Sequence, residues 1–189
     1  MQKPKSQSVD TICTGTEKTV LIHPSAEVQS RSIGKGTIIG RLVIILPGAE
    51  IGEDCDISSG VFIENDVVIG RNVTIQREVY LWDGLRIGDD VLLCQGSTFV
   101  NDKYPRSKKF PDKYPVTRIL KGVTVGANAT ILSGITIGEY ALIGAGSVVT
   151  CDVPSYCLVY GNPARIKGKV NKSGSLSTRI QDKEKKKRA

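Results

Sequence analysis

Between Phe99 and Ile119 lies the stretch whose residue types invite chemistry: Val100-Asn101-Asp102-Lys103-Tyr104-Pro105-Arg106-Ser107-Lys108-Lys109-Phe110-Pro111-Asp112-Lys113-Tyr114-Pro115. It is polar, basic and broken by three prolines, so it reads as a projecting loop, and loops held on a rigid scaffold are where ligands are commonly bound. Arg106 and the lysines suit a phosphate-bearing ligand, because a guanidinium makes paired hydrogen bonds to phosphate oxygens. A solvated loop or a subunit contact is the plainer reading, and the charge pattern favours binding over both. Asn101 and Asp102 stand at the root of the loop. Two readings of this pair are equally open: they orient a reactant, or they close an Asx turn and serve only the backbone.

Other reactive groups are scarce. The single histidine, His23, lies far along the chain from the loop and reads as structural. That scarcity disfavours hydroxyl acceptors, which normally need a general base worth roughly 10²–10⁴-fold in rate, and a three-histidine zinc site. The five cysteines, Cys13, Cys55, Cys94, Cys151 and Cys157, have no C-x-x-C spacing and read as reduced thiols of a cytoplasmic protein. No metal site is expected.

What positions these residues is a period of six. Every sixth residue from Ile33 to Phe99 is apolar, and the register resumes from Ile119 to Val149. Four residues after each of these comes a small or apolar residue, from Thr37, Val43 and Ala49 through to Ser147 and Val153, with no charge among them. Neither a 3.6-residue helix nor a two-residue strand repeat keeps such a set on one face. Hexapeptide β-helices do: one hexad gives a short strand and a corner, and three hexads close a triangular coil with its aliphatic residues stacked inside. Ile22 and Val28 extend the pattern with a one-residue slip before Ile33. The regular hexads make about six coils, a prism roughly 29 Å long. The predicted fold is all-β, with a loop over 100–118.

Three segments follow: an N-terminal extension over 1–20, the repeat domain over 21–165, and a basic C-terminal tail over 166–189. The formal charge of +7 resides entirely in the tail, leaving the body neutral. The tail reads as a solvated terminus rather than a membrane-binding segment, and no nucleic-acid partner is expected. No segment has membrane-spanning length. Flat prism faces invite self-association, and a homotrimer is expected.

The hexads resemble those of the left-handed β-helix acyltransferases, and Val159-Tyr160-Gly161-Asn162-Pro163-Ala164-Arg165 is similar to their closing signature. More specific are Glu64-Asn65-Asp66-Val67-Val68-Ile69-Gly70, Phe99 to Lys108, Lys121 to Ile131 and Ile143-Gly144-Ala145-Gly146-Ser147-Val148-Val149. In this order they resemble the 3-N-acetyltransferases acting on dTDP-linked 3-amino-3,6-dideoxyhexoses, enzymes of surface glycan or O-antigen synthesis. The resemblance implies left-handed coils, a trimer with sites between subunits, acetyl-CoA as co-substrate and a nucleotide-linked amino sugar as acceptor. It casts Asn101 and Asp102 as the catalytic pair, the Asn101 amide orienting the sugar amine. Asp102, Tyr104, Arg106 and Lys108 would hold the sugar or its phosphates, with Gln76 and Asp83 lining the same cleft. The backbone at Gly126, Ala127, Gly144 and Ala145 would hold the pantetheine arm, and Lys121 and Arg165 the coenzyme phosphates.

An amine acceptor also fits the missing base. If a sugar amine titrates like an α-amino group, about 10–20% of it is neutral and nucleophilic at pH 7. Direct attack on the thioester, with no acyl-enzyme, is the expected mechanism. The competing readings are a transferase for UDP-linked amino sugars and a noncatalytic β-helix assembly module.

Overall fold

A computed structural model describes residues 19–179. Each hexad folds as one short strand and one corner, and the chain winds into a three-sided parallel prism, a left-handed β-helix. Face 1 begins with Leu21–Ile22, face 2 with Glu27–Val28 and face 3 with Ser32–Ile33. Successive rungs on a face come from segments one full coil apart, as in Asp56↔Thr74 and Thr74↔Leu92. In the regular coils each side chain is thus stacked on the residue 18 positions away, the step being 17 at the slip before Ile33 and 32 across the loop. Parallel strands cannot be joined by tight hairpins, so the chain must travel around the other two faces before it returns.

The period-six residues fill the interior. From Ile39 to Val149 every one is buried, and so are all the small residues four places on, Cys55 and Thr37 included. Ile33 is only half-buried, with few rungs beneath it among the described residues. The slip before it is absorbed by Ser30, a buried residue whose hydroxyl donates to the Ala49 carbonyl at 2.6 Å and accepts the Ser32 N–H. The glycine that follows many of the aliphatic residues serves close coil stacking: a Cβ on Gly52 would lie 2.4 Å from the Gly70 carbonyl oxygen. The left-handed backbone of most corners falls two residues later, at positions such as Asp54, Asn72 and Asp90.

The loop interrupts this winding at one place. The wall stops at Thr98–Phe99 on face 2 and resumes at Thr117–Ile119 on face 3, so the loop leaves and re-enters at the edge between them. Arg86 still pairs with Arg118 and Ile87 with Ile119, and the ladder is unbroken across the insertion. Gly84, with φ of 87°, makes room for the returning chain: a Cβ there would meet the Pro115 carbonyl oxygen at 2.9 Å.

At the C-terminal end Cys157–Gly161 adds a last parallel rung to face 1. A tight turn with a cis Asn162–Pro163 bond then sends Ala164–Val170 back antiparallel, and Leu176–Arg179 follows it. Regular structure thus continues past residue 165, where the sequence reading ended the domain. The basic run Lys183–Arg188, Cys13 and the extension over 1–18 lie outside the described residues. The four described cysteines, Cys55, Cys94, Cys151 and Cys157, are free thiols, and burial pushes the Cys55 thiol up in pKa.

Candidate active site

The edge between faces 2 and 3 carries the same corner position once per coil, at Pro47, Asn65, Asp83 and Asn101. The members of this series are used differently. Asn65 Oδ1 accepts the Gly48 N–H of the coil below at 3.1 Å, and Asp83 Oδ1 accepts the Asp66 N–H at 2.7 Å. By that pattern Asn101 would cap Gly84. It does not, because the Gly84 N–H donates instead to the Asp66 carbonyl at 3.0 Å. The half-buried Asn101 amide is left without a protein partner among the described residues, beside a shallow cleft lined by Trp82, Asp83, Gly84, Phe99 and Val100. The second oxygen of Asp83, Oδ2, likewise has no protein partner among the described residues. An amide and a carboxylate, one coil apart, therefore stand ready for a hydrogen-bonding ligand.

The cleft is braced from below. Glu64 Oε2 accepts the Asp83 N–H at 2.8 Å. Arg86 donates through Nη1 to the Asp66 carbonyl at 2.6 Å and pairs through Nη2 with the Asp66 carboxylate. Burial pushes the Glu64 carboxyl above its ordinary range, the Asp83 charge adds to this, and the hydrogen bond from the Asp83 N–H opposes both. Trp82 packs on Phe62 with ring centroids 5.5 Å apart. The sequence reading gave Glu64, Asp66, Trp82 and Arg86 no role. The available signal was the 18-residue step, which puts Asn65, Asp83 and Asn101 on one edge with Glu64 beside them.

Asp102 does not join Asn101. Its Oδ1 accepts the Tyr104 N–H at 2.8 Å, an Asx turn that starts the loop. Tyr104 lies exposed with the Lys103 ammonium over its ring, and Arg106 donates to the Pro105 carbonyl. Arg106, Lys108 and their neighbours present their charges outward from the loop rather than into the cleft.

Gln76 is also elsewhere. It lies on the edge between faces 1 and 2, where its Oε1 accepts the Gln95 N–H of the next coil at 3.0 Å. Seven residues separate it from Asp83, one more than a hexad, so the chain has already turned a corner. The edge that holds Gln76 also holds Gly126, Ala127, Gly144 and Ala145. The Ala127 and Ala145 N–H groups have no acceptor among the described residues, whereas Gly126 and Gly144 donate to Ile143 and Val159. Two unpaired donors one coil apart on a wall of glycine and alanine fit an extended arm bearing amide carbonyls. Arg165, opposite Tyr160, which packs on Gly144, stands at the far end of this strip. Lys121 is not part of it. It occupies the third edge and pairs with Asp90 at 3.2 Å. A larger groove at that edge, lined by Asp90, Tyr140 and Lys172, holds none of the other expected residues.

His23 sits on the first coil, bonded to Ser25, and Asn101 leaves the fifth. At about 4.8 Å per coil they are roughly 19 Å apart along the axis. No group of three or more His, Cys, Asp or Glu side chains suited to a metal occurs among the described residues.

The profile of bacterial transferase hexapeptide proteins, six repeats long, matches residues 32–65 and 117–151, on either side of Asp83, Asn101 and the loop. The dTDP-3-amino-3,6-dideoxy-alpha-D-galactopyranose 3-N-acetyltransferase of Aneurinibacillus thermoaerophilus is 50% identical over 157 residues, covering 83% of this chain and 82% of that protein. This chain belongs to the hexapeptide-repeat acetyltransferases. A serine acetyltransferase of Synechococcus elongatus is 35% identical over 129 residues, 68% of this chain and 46% of the relative, so the chain spans less than half of that longer protein. The crystal structure of the polySia-specific acetyltransferase NeuO superposes with a TM-score of 0.59 at 25% identity, over 84% of this chain and 74% of that one. The hexapeptide-repeat acetyltransferase described here thus shares its wall with relatives that differ in the rest of their length.

Proposed function

We propose that the protein transfers the acetyl group of acetyl-CoA to the 3-amino group of a nucleotide-linked, dTDP-bearing 3-amino-3,6-dideoxyhexose. The observation that carries this reading is the 50% identity to a 3-N-acetyltransferase of that substrate class, over a span that includes the cleft. In this reading Asp83 Oδ2 accepts a hydrogen bond from the neutral amine and the Asn101 amide orients the sugar beside it. The exposed Arg106 and Lys108 meet the diphosphate, as their charge suits them to do. The Ala145 N–H receives a carbonyl of the pantetheine arm, and Arg165 a coenzyme phosphate.

The amine nitrogen attacks the thioester carbonyl. The carbon–nitrogen bond forms, the carbon–sulfur bond breaks, and the nitrogen's proton passes to the departing sulfur to give CoA thiol. The Ala127 N–H, unpaired like that of Ala145 and the nearer of the two to Asn101 along the axis, steadies the oxyanion. Positioning and preorganised donors supply most of the acceleration.

Such a site requires a trimer. In one chain the Asp83–Asn101 cleft and the Ala127–Ala145 strip lie on opposite edges of face 2. Three-fold packing with face 2 inward sets one protomer's cleft against its neighbour's strip, with Asn101 on the fifth coil and Ala127 on the sixth, within about one coil of the same height. Face 2 carries the exposed apolar residues Ile44 and Tyr80, which such packing would cover. The test is incubation with acetyl-CoA and a panel of dTDP- and UDP-linked amino sugars, reading thiol release and product mass. Acetylated dTDP-linked 3-amino sugar is the expected product. Acetylation of UDP-linked sugars alone overturns the acceptor assignment, and no acetyl transfer to any member overturns the reaction.

A further inference from the structure

We infer that Glu64 is a positioning residue for the acceptor: it holds the Asp83 backbone so that the Asp83 carboxylate meets the substrate amine at a fixed place. The inference rests on the functional reading above and adds to it a residue that does not itself line the cleft.

The coils differ at one corner. The corner position occupied by Glu64 recurs at Leu46, Trp82 and Val100, none of which carries an acceptor that reaches the next coil. Glu64 alone in this series supplies a carboxylate, and it lies beneath Asp83, the residue with an oxygen open to the cleft. Oε2 accepts the Asp83 N–H at 2.8 Å. The Asn65 and Asn101 N–H groups, at the equivalent places, have no acceptor among the described residues. Asp83 is therefore fixed at two points: its amide by Glu64 and its Oδ1 by the Asp66 N–H at 2.7 Å. Asp66 is in turn fixed by Arg86. Held twice, the carboxylate has little freedom to swing, and Oδ2 keeps a constant place in the cleft that Asp83 lines with Asn101. A half-buried glutamate is costly to maintain at a place where leucine serves one coil below. The clamp accounts for its presence; wall packing alone does not.

The experiment compares Glu64→Ala and Glu64→Gln with the wild type by steady-state kinetics in the acetylated-sugar assay, with thermal melting alongside. Loss of one such hydrogen bond changes an equilibrium by about tenfold. The alanine variant is expected to raise KM for the amino sugar by roughly that factor while KM for acetyl-CoA stays at the wild-type value. The glutamine variant keeps an oxygen for the Asp83 N–H and is expected to restore the sugar KM. The inference is overturned if the alanine variant has a wild-type sugar KM, if both KM values rise together, or if glutamine is as defective as alanine. Wild-type protein inactive on every sugar instead overturns the functional reading, so the two failures are told apart in the same assay.

Discussion

Replacing Asp83 by asparagine separates two duties that this side chain performs. Its Oδ1 caps the Asp66 N–H, while Oδ2 has no protein partner among the described residues and belongs to a side chain that lines the cleft. The first duty survives the change: Asn65, at the same corner one coil below, caps Gly48 with an amide oxygen at 3.1 Å. The second does not survive, because the open position now carries an NH₂ group, which cannot accept from an amine. A hydrogen bond to a charged group contributes about 1.5–3 kcal/mol, and roughly 1.4 kcal/mol corresponds to a factor of ten. Asp83→Asn should therefore lower kcat/KM for the amino sugar by roughly 10- to 150-fold, with an unchanged melting temperature. Asp83→Ala should lose both duties and melt earlier as well. The assay is thiol release at saturating acetyl-CoA with the sugar varied. An asparagine variant within twofold of wild-type kcat/KM, or one that melts as early as the alanine variant, would refute the division of labour.

Other residues give sharper contrasts. Asn101→Ala should lose much of kcat in the same assay while retaining its sedimentation behaviour; wild-type turnover would remove its role. His23→Ala should keep wild-type kcat, since the imidazole is roughly four coils from Asn101, and a large loss in an intact assembly would restore the case for a histidine base. Ser97 is 1% exposed, and its hydroxyl has no hydrogen-bond partner among the described residues. Removing a buried unsatisfied hydroxyl relieves about 1 kcal/mol, so Ser97→Ala should melt about 2–4 °C higher; a lower melting temperature would mean the hydroxyl is satisfied in solution.

The wall was legible in the residues because its rule is short-range and repeats: an aliphatic side chain such as Ile75 or Leu93 every sixth place has nowhere to go but inward. The point where the wall opens was legible too, since no hexad can be written through Tyr104-Pro105-Arg106. The edges were harder. Gln76 and Asp83 look like neighbours in a list of polar residues, yet a hexad's worth of chain carries one past a corner from the other, and only counting in steps of 18 separates them. Asp102 and Asn101 are adjacent in sequence and parted by a turn, a choice decided by one hydrogen bond to the Tyr104 N–H that composition does not encode. Lys121 was drawn to phosphate by its charge, whereas Asp90, on the coil beneath, claims it first. Glu64 escaped notice because its partner is a main-chain N–H, invisible to any survey of side-chain types.

Because every group on the prism is mounted on a rung, separations along the axis within one face or edge come only in increments of about 4.8 Å. The solenoid is a ruler with fixed graduations. Evolution on such an instrument cannot slide a donor a fraction of an ångström closer to an acceptor by shifting the backbone. It has to exchange the side chain at a given mark, or remodel the one segment not ruled off, the loop that leaves and re-enters between faces 2 and 3. Acceptor preference should therefore travel with that loop when it is transplanted, between walls of equal gauge, together with the side chains at the Glu64 and Asp83 marks.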